Sequence, residues 1–303
     1  MNAASPPSAV RISIVTPTLN RAHFLGEAIE SVLAQGVNDV EHIVVDGMSA
    51  DGTVELLARH PHLRVIREPD RGVYDALNKG LRAASGDVIA LLNSDDLLAP
   101  GALDAAARAF ADRAVATVVG QAEIFSGTQT VETIRDADAL RLCFRNITLG
   151  NPLPNARFFR RDLIVRTGDF DIRYRLASDR DWLLRMARQH PREVVLPALV
   201  YRYRRHDGSL TINDHSPLAE PLWRESLAIA GEWLARADLA DDERATLRAW
   251  RRQQSIQASL HFLRHGPRAR AAEFIRHGAV DGKFAGEWLR EFGKAARGFV
   301  KKK

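Results

Sequence analysis

The chain has a single cysteine, Cys143, in 303 residues, so no disulfide can form within it. A fold of this length must then be held by its own core, which suits a reducing compartment. Cys143 itself reads as a small buried hydrophobe. Long apolar runs are also missing: none approaches the ~20 residues that a membrane-spanning helix needs. Residues 1–9, rich in Pro, Ser and Ala, lack the apolar centre of a signal peptide and read as a loose tail. The expected location is the cytoplasm, with the cytoplasmic face of a membrane left open. Glycine-rich cradles are absent as well. No Gly-x-Gly-x-x-Gly follows the first strand and no Gly-x-x-x-x-Gly-Lys-Ser/Thr occurs anywhere, which removes the usual dinucleotide and P-loop phosphate sites. Scattered histidines and one cysteine make no zinc cluster. Without a Gly-x-Ser-x-Gly elbow, serine hydrolase chemistry has no support.

What is present is an ordinary soluble balance, 46% hydrophobic and 27% charged, enough for one large α/β domain with an extension. Strand and helix signals alternate through the first third. Ile12 to Thr16, His42 to Val45, Leu63 to Ile66 and Val88 to Leu92 are short apolar runs of the buried parallel type. Between and after them, Phe24 to Gln35, Thr53 to Leu57, Val73 to Ala84 and Ala102 to Phe110 carry the three-four spacing of helices. This is the pattern of a doubly wound, mainly parallel sheet flanked by helices, which binds ligands at the carboxyl ends of its strands. Further along, Val115 to Phe125 and Thr128 to Ile134 predict a hairpin about Ser126-Gly127. Ala156 to Phe159 and Val194 to Arg204 predict further strands. Beyond a boundary at 212–217 only amphipathic helices are predicted: Trp223 to Leu234, Ala245 to Leu263, Arg268 to Arg276 and Phe284 to Val300. The expected division is an α/β domain over 10–212, falling into 10–113 and 114–212, and an all-helical extension over 217–303.

The residues after the strands are polar and largely acidic. Asp95 and Asp96 follow an apolar strand directly, and two adjacent carboxylates there suit a hard divalent cation that shares phosphate oxygens. The alternative is a turn in which Asp96 caps a helix near Leu97. Asp46 closes another strand and can accept a hydrogen bond from the edge of a nucleobase. Arg71 and Asn78 supply a cation and an amide donor near the same edge, where phosphates would sit.

Taken together, four stretches resemble a family-2 glycosyltransferase of the GT-A (Rossmann-like) fold. They are Val15 to Arg21, Val44 to Thr53, Glu68 to Gly80 and Gly86 to Asp96. The resemblance makes 10–212 the catalytic domain, with 10–113 its nucleotide-binding half and 114–212 its acceptor-binding half. It implies that Thr16, Pro17, Thr18, Asn20 and Asp46 hold the nucleoside, with Arg71 and Asn78 facing the diphosphate or lining that pocket. It further implies that Asp96 is the direct ligand of Mg2+ or Mn2+, with Asp95 nearer the ribose and diphosphate. Leu19 stands where an aromatic is frequent, and Gly47 where many members carry a second carboxylate. The family's general base matches Asp179 in Ser178-Asp179-Arg180-Asp181, which opens a helix capped by Ser178. One base without a nucleophile implies inversion at the anomeric carbon. On the acceptor side the resemblance suggests Trp182 as a platform, a core aromatic being the other reading. Arg204 and His206 are read as part of a loop over the diphosphate.

The implied partners are a nucleoside-diphosphate sugar and a glycan or lipid-linked acceptor. The net charge of +5 is concentrated toward the C-terminus, yet no nucleic-acid motif accompanies it. In the last helix Trp288, Phe292, Ala295, Ala296 and Phe299 share a face bordered by Arg290, Lys294, Arg297 and three terminal lysines. Two readings stand for it: contact with an anionic membrane, or ordinary helix packing. Oligomerisation stays open. The rival to an enzyme is a binding or scaffold protein that keeps the fold without catalysis; intact carboxylates at Asp95, Asp96 and Asp179 argue against it.

Overall fold

The computed structural model describes residues 10–37, 39–206, 208, 218–279 and 282–300, with backbone alone at Ala137 and over 294–300. The predicted tail, the 212–217 boundary, the terminal lysines and the side chains of Lys294 to Phe299 lie outside the described residues. The chain divides into two compact units, one built from 1–146 and 151–213, the other from 147–150 and 214–303.

The first unit opens with β1 (Ile12–Thr18), α1 (Ala22–Leu33), β2 (Val40–Asp46), α2 (Thr53–Ala58), β3 (Arg64–Arg67), α3 (Val73–Ala83) and β4 (Val88–Leu91). Every residue of β1 and β4 is buried, as expected for parallel strands covered on both faces. The strands pair in the order β3-β2-β1-β4, all parallel, so their carboxyl ends lie on one edge. Helix α3 rides close on this sheet because Gly80 has no side chain: a Cβ there would overlap Val15 Cγ1 and stand 3.3 Å from Val45 Cγ2.

The acidic pair is followed by a two-residue strand, β5 (Leu97–Leu98), and not by a helix cap; α4 (Ala102–Phe110) comes next. The predicted hairpin is present as β6 (Thr117–Ser126) and β7 (Gln129–Ile134), turning at Gly127 with φ 57°. Short helices α5 (Ala137–Leu140) and α6 (Phe144–Leu149) follow, then β8 (Arg157–Arg160), α7 (Arg161–Thr167), α8 (Ser178–Ala187) and β9 (Glu193–Arg204). Here the sheet ceases to be parallel. β8 runs antiparallel to both β4 and β6, β9 runs parallel to β6, and β5 closes the edge antiparallel to β9. The result is the mixed α/β sheet with flanking helices that the sequence predicts, its all-parallel run confined to β1–β4.

Two local expectations are corrected. Cys143 is exposed, not buried. Ser178 is the first residue inside α8 and caps nothing; its Oγ is buried without a partner among the described residues.

The second unit holds α9 (Ala219–Leu234), α10 (Asp241–His265), α11 (Arg268–Gly278) and α12 (Phe284–Val300). Leu227, Ala258, Phe262, Ala271 and Phe274 form its core, with the rings of Phe262 and Phe274 stacked at 5.7 Å. Trp288 donates to Ser259 Oγ at 2.9 Å, whereas Leu289 and Phe292 stay exposed. No helix among the described residues is long and apolar enough to cross a membrane.

Candidate active site

Thr16 and Thr18 are two residues apart on β1 and share a face. Thr16 Oγ1 lies 3.0 Å from His42 Nε2, and both residues are buried. Burial, helped by His62 and His60, pushes the imidazole down to about 3. The Thr16 hydroxyl is therefore engaged in the core, one pleat short of the strand end. Thr18, at the end itself, is 4% exposed and its Oγ1 has no partner among the described residues. Pro17 between them pairs in register with Val45.

Asn20 has a left-handed backbone, φ 53°, tolerable for asparagine. It ties the β1 and β2 ends together: its N–H donates to Ser49 Oγ at 2.8 Å, and its Oδ1 accepts the Ala50 N–H at 2.9 Å. Asp46 is fully buried and accepts from the Ser49 N–H at 3.0 Å and from Arg67 Nε at 3.1 Å. Arg67 carries almost no local signal in the sequence. Its one signal is register, since the last residues of two adjacent parallel strands, Asp46 and Arg67, stand side by side. Where Gly47 lacks a side chain, Asp70 fills the space: a Cβ at Gly47 would overlap Asp70 Oδ2. Asp70 Oδ1 accepts the Gly72 N–H at 2.9 Å and so shapes the entry to α3. Arg71 is exposed there, 3.8 Å from the Asp75 carboxylate.

Asn78 is placed differently from the role read in the sequence. It is buried, its Nδ2 donates to the Phe170 carbonyl at 2.9 Å and its Oδ1 accepts the Phe170 N–H at 2.8 Å. Its carboxamide thus joins α3 to the segment leading into α8, not to the open strand edge.

The two aspartates after β4 have unequal surroundings. Asp96 is 3% exposed. It accepts the Tyr201 hydroxyl at 2.8 Å and Asn93 Nδ2 at 3.0 Å on one oxygen, and the Arg204 N–H at 2.8 Å on the other. Burial, then the neighbouring Asp95 charge, pushes its carboxyl up to about 7 against those three donors. Asp95 is the more open of the two, with its Oδ2 3.1 Å from His206 Nε2. Arg204 Nε donates to the Asp95 carbonyl at 2.8 Å, and its guanidinium lies over the rings of Phe24 and Phe125. Tyr201 to Arg204 is the end of β9, within the strand predicted over Val194 to Arg204, so Arg204 is not part of a loop; His206 follows the strand, and Asp207 and Ser209 lie outside the described residues.

Asp179 sits in the first turn of α8. Burial pushes its carboxyl up, opposed by the adjacent Arg180 charge and by hydrogen bonds from the Arg180 N–H and Tyr74 Oη. Asp181 faces elsewhere and pairs with Arg185 at 2.9 Å. Trp182 is fully buried; its Nε1 donates to the Gly168 carbonyl at 2.9 Å and its ring stacks on Phe170 at 4.4 Å. No face of it is free, so the platform reading is withdrawn in favour of a core aromatic. The buried hydroxyl of Tyr203 on β9 feels the charges of both Asp96 and Asp179.

A mixed α/β sheet with an all-parallel first half, an acidic pair after β4 and an acidic first turn on α8 is the layout of the GT-A fold. The chain belongs to Glycosyl transferase family 2, whose sequence profile matches residues 13–168. It is 31% identical over 201 residues to PGL/p-HBAD biosynthesis glycosyltransferases of Mycobacterium bovis and Mycobacterium tuberculosis, covering 65% of this chain and 74% of theirs. Solved structures share the fold. S. aureus TarS 1-349 in complex with UDP matches with a TM-score of 0.67 at 18% identity, over 88% of this chain and 78% of that one. The mannosyltransferase PcManGT from Pyrobaculum calidifontis, in complex with GDP-Man and Mn2+, matches with a TM-score of 0.61 at 19% identity, over 97% and 83%.

Proposed function

We propose that this glycosyltransferase moves a sugar from a nucleoside-diphosphate sugar to a hydroxyl of a glycan or lipid-linked acceptor, with inversion. The observation that carries the reading is a pair of acidic sites: Asp95-Asp96 after β4, held by Tyr201 and Arg204 of β9, and the buried Asp179 in the first turn of α8, held by Tyr74 at the start of α3. One can serve the leaving diphosphate and the other the incoming hydroxyl. On the donor side, the unpartnered Thr18 hydroxyl and the Asp46–Arg67 pair supply acceptors and donors for a base and ribose. Asn20 fixes the loop that frames them, and Arg71 is free to turn toward phosphate from its exposed position. Thr16 and Pro17 support this edge from below.

Among the described residues no group of three or more acidic, His or Cys side chains is built to hold a metal ion by itself. Asp95 Oδ2 and His206 Nε2 nevertheless fit a cation that takes its remaining ligands from diphosphate and water. We assign direct contact to Asp95, the more open of the two, because Asp96 is buried and three donors take up most of the acceptor capacity of its oxygens. When bound, Mg2+ or Mn2+ would offset the charge that builds on the departing diphosphate.

Asp179 accepts the proton of the acceptor hydroxyl as its oxygen attacks the anomeric carbon. The bond to the diphosphate breaks on the opposite side, and the nucleoside diphosphate leaves with that electron pair. Burial strengthens the carboxylate as a base, while Arg180 and Tyr74 keep it ionised. The names of the mycobacterial relatives support a place in surface polysaccharide or glycolipid assembly. The exposed Leu289 and Phe292 of α12 offer a peripheral contact with an anionic membrane, where lipid-linked acceptors lie.

The test is a thermal-shift screen of UDP, GDP and their sugars with and without Mn2+, followed by turnover of the best donor. Asp179→Asn is expected to keep the donor shift and lose transfer. Unchanged transfer would remove Asp179 as the base, and a shift indifferent to Mn2+ would remove the cation.

A further inference from the structure

Tyr74 is the second residue of α3, and its hydroxyl stands 3.2 Å from Asp179 Oδ1 and 3.2 Å from the Leu176 carbonyl oxygen. A phenol has one proton to donate, so it can serve only one of these acceptors fully at a time. The ring itself has little freedom. It packs against Phe170 at 5.3 Å, and α3 is pinned on one side by Gly80 against Val15 and on the other by Asn78 bonded to the Phe170 backbone. A rotation about the C–O bond is then the cheap motion left to the group.

We propose that Tyr74 is a positioning residue for the transfer reaction. Its hydroxyl holds the ionised Asp179 carboxylate in place and passes to the Leu176 carbonyl once Asp179 has taken up the acceptor's proton. This rests on the reading of Asp179 as the general base. Among the described residues, few charged and titratable groups stand around that carboxylate. Arg180 is its neighbour on α8, Asp181 is turned away into its pair with Arg185, Tyr74 comes from α3, and the phenol of Tyr203 comes from β9. Of these, Tyr74 alone both donates a side-chain hydrogen bond to Asp179 and has an alternative acceptor within the same distance. A hydrogen bond to the charged form favours that form. Its loss raises the proton affinity of Asp179, and a wandering carboxylate meets the acceptor hydroxyl less often.

The experiment uses the full chain and two readouts. Tyr74→Phe keeps the ring and removes the hydroxyl. The titration of Asp179 is followed by carbon-13 carboxyl resonances, assigned by their disappearance in Asp179→Asn. Turnover is followed as release of UDP or GDP from whichever UDP- or GDP-hexose the wild-type protein hydrolyses fastest, across pH. In Tyr74→Phe, Asp179 is expected to titrate about one pH unit higher, and kcat to fall on the order of tenfold on the acid side. KM for the sugar nucleotide and its thermal shift should stay as in the wild type. A 3-fluorotyrosine at position 74, which keeps a more acidic hydroxyl, should restore kcat and return the acid limb to the wild-type position or below. If Asp179→Asn is inactive while Tyr74→Phe leaves both the titration and the acid limb unmoved, the role of Tyr74 falls and the base assignment survives. If Asp179→Asn turns over like the wild type, the base assignment falls and the role of Tyr74 with it.

Discussion

The side chain of Asn78 and the backbone of Phe170 bond each other twice, donor to acceptor in both directions, 92 residues apart in sequence. Both partners are shielded from water, so removing one leaves the other's polar groups unsatisfied. Asn78→Ala is expected to lower the stability of the first unit by about 3 kcal/mol in urea unfolding, from two lost bonds and two orphaned backbone groups. Affinity for UDP or GDP, measured by calorimetry below the unfolding transition, should change less than the stability does. A large loss of nucleotide affinity with unchanged stability would return Asn78 to the diphosphate role first read for it.

Asp95 and Asp96 should separate cleanly. Asp95→Asn keeps a hydrogen-bonding group beside His206 and is expected to leave the melting temperature within a degree or two. It should abolish the extra stabilisation that Mn2+ gives in the presence of a nucleoside diphosphate. Asp96→Asn substitutes an amide among three donors, of which Tyr201 Oη and the Arg204 N–H then compete for one oxygen. It is expected to cost about 2 kcal/mol of stability even without nucleotide. Equal effects of the two substitutions on melting would sink this division of roles.

The parallel half of the fold was legible because its strands are short β-branched runs and its helices repeat every three to four residues. The strand-end rule then pointed to Asp46 and Asp95-Asp96 with no further information. What escaped was whatever depends on pairing across long separations. Tyr201 and Asp96, and likewise Tyr74 and Asp179, are 105 residues apart, and no local pattern brings them together. Arg67 was missed because one arginine ending a short strand looks like solvated charge until register sets it beside Asp46. The strand over Val194 to Arg204 is legible in the sequence, whereas the loop reading that overlaps it at Arg204 is not upheld, because Arg204 is the last residue of β9. In the structure the guanidinium of Arg202 lies over Phe125 and that of Arg204 over Phe24 and Phe125, which accommodates these basic residues in the strand.

Gly80 sets how closely α3, and with it Tyr74 and the Asp70–Gly72 turn, approaches the sheet. A methyl group there overlaps Val15 Cγ1, on a strand whose own side chains have no room to yield. Gly80→Ala gains helix propensity of about 1 kcal/mol but should still be destabilising by about 1–2 kcal/mol net, because overpacking a dense core costs more. The same displacement moves Tyr74 away from Asp179, so kcat should fall more than nucleotide affinity. A Gly80→Ala protein more stable than the wild type would show that α3 can slide without loss.

The Thr16–His42 pair should make the protein acid-sensitive well above the carboxylate range. His42 is buried and neutral, its imidazole held down to about 3 by burial and then by His62 and His60. In the unfolded chain it titrates near 6.5, so below that pH the unfolded state binds a proton that the folded state refuses. The folded pKa is the lower one; the full stability is therefore present above about 6.5 and is lost as the pH falls from there toward 3. By pH 5 the loss from this one residue amounts to about 2 kcal/mol. Glu41 adds to it only further down. Burial raises its carboxyl, but hydrogen bonds from Ser13, Ser85 and Arg64 prevail and hold it at about 2, so its share is lost between about 4.5 and 2. Urea unfolding of the wild type at pH 7 and pH 5 should show the His42 loss, and His42→Gln, which can still bond Thr16, should remove most of it. A His42→Gln protein with the wild-type slope between those two pH values would place the acid-sensitive group elsewhere.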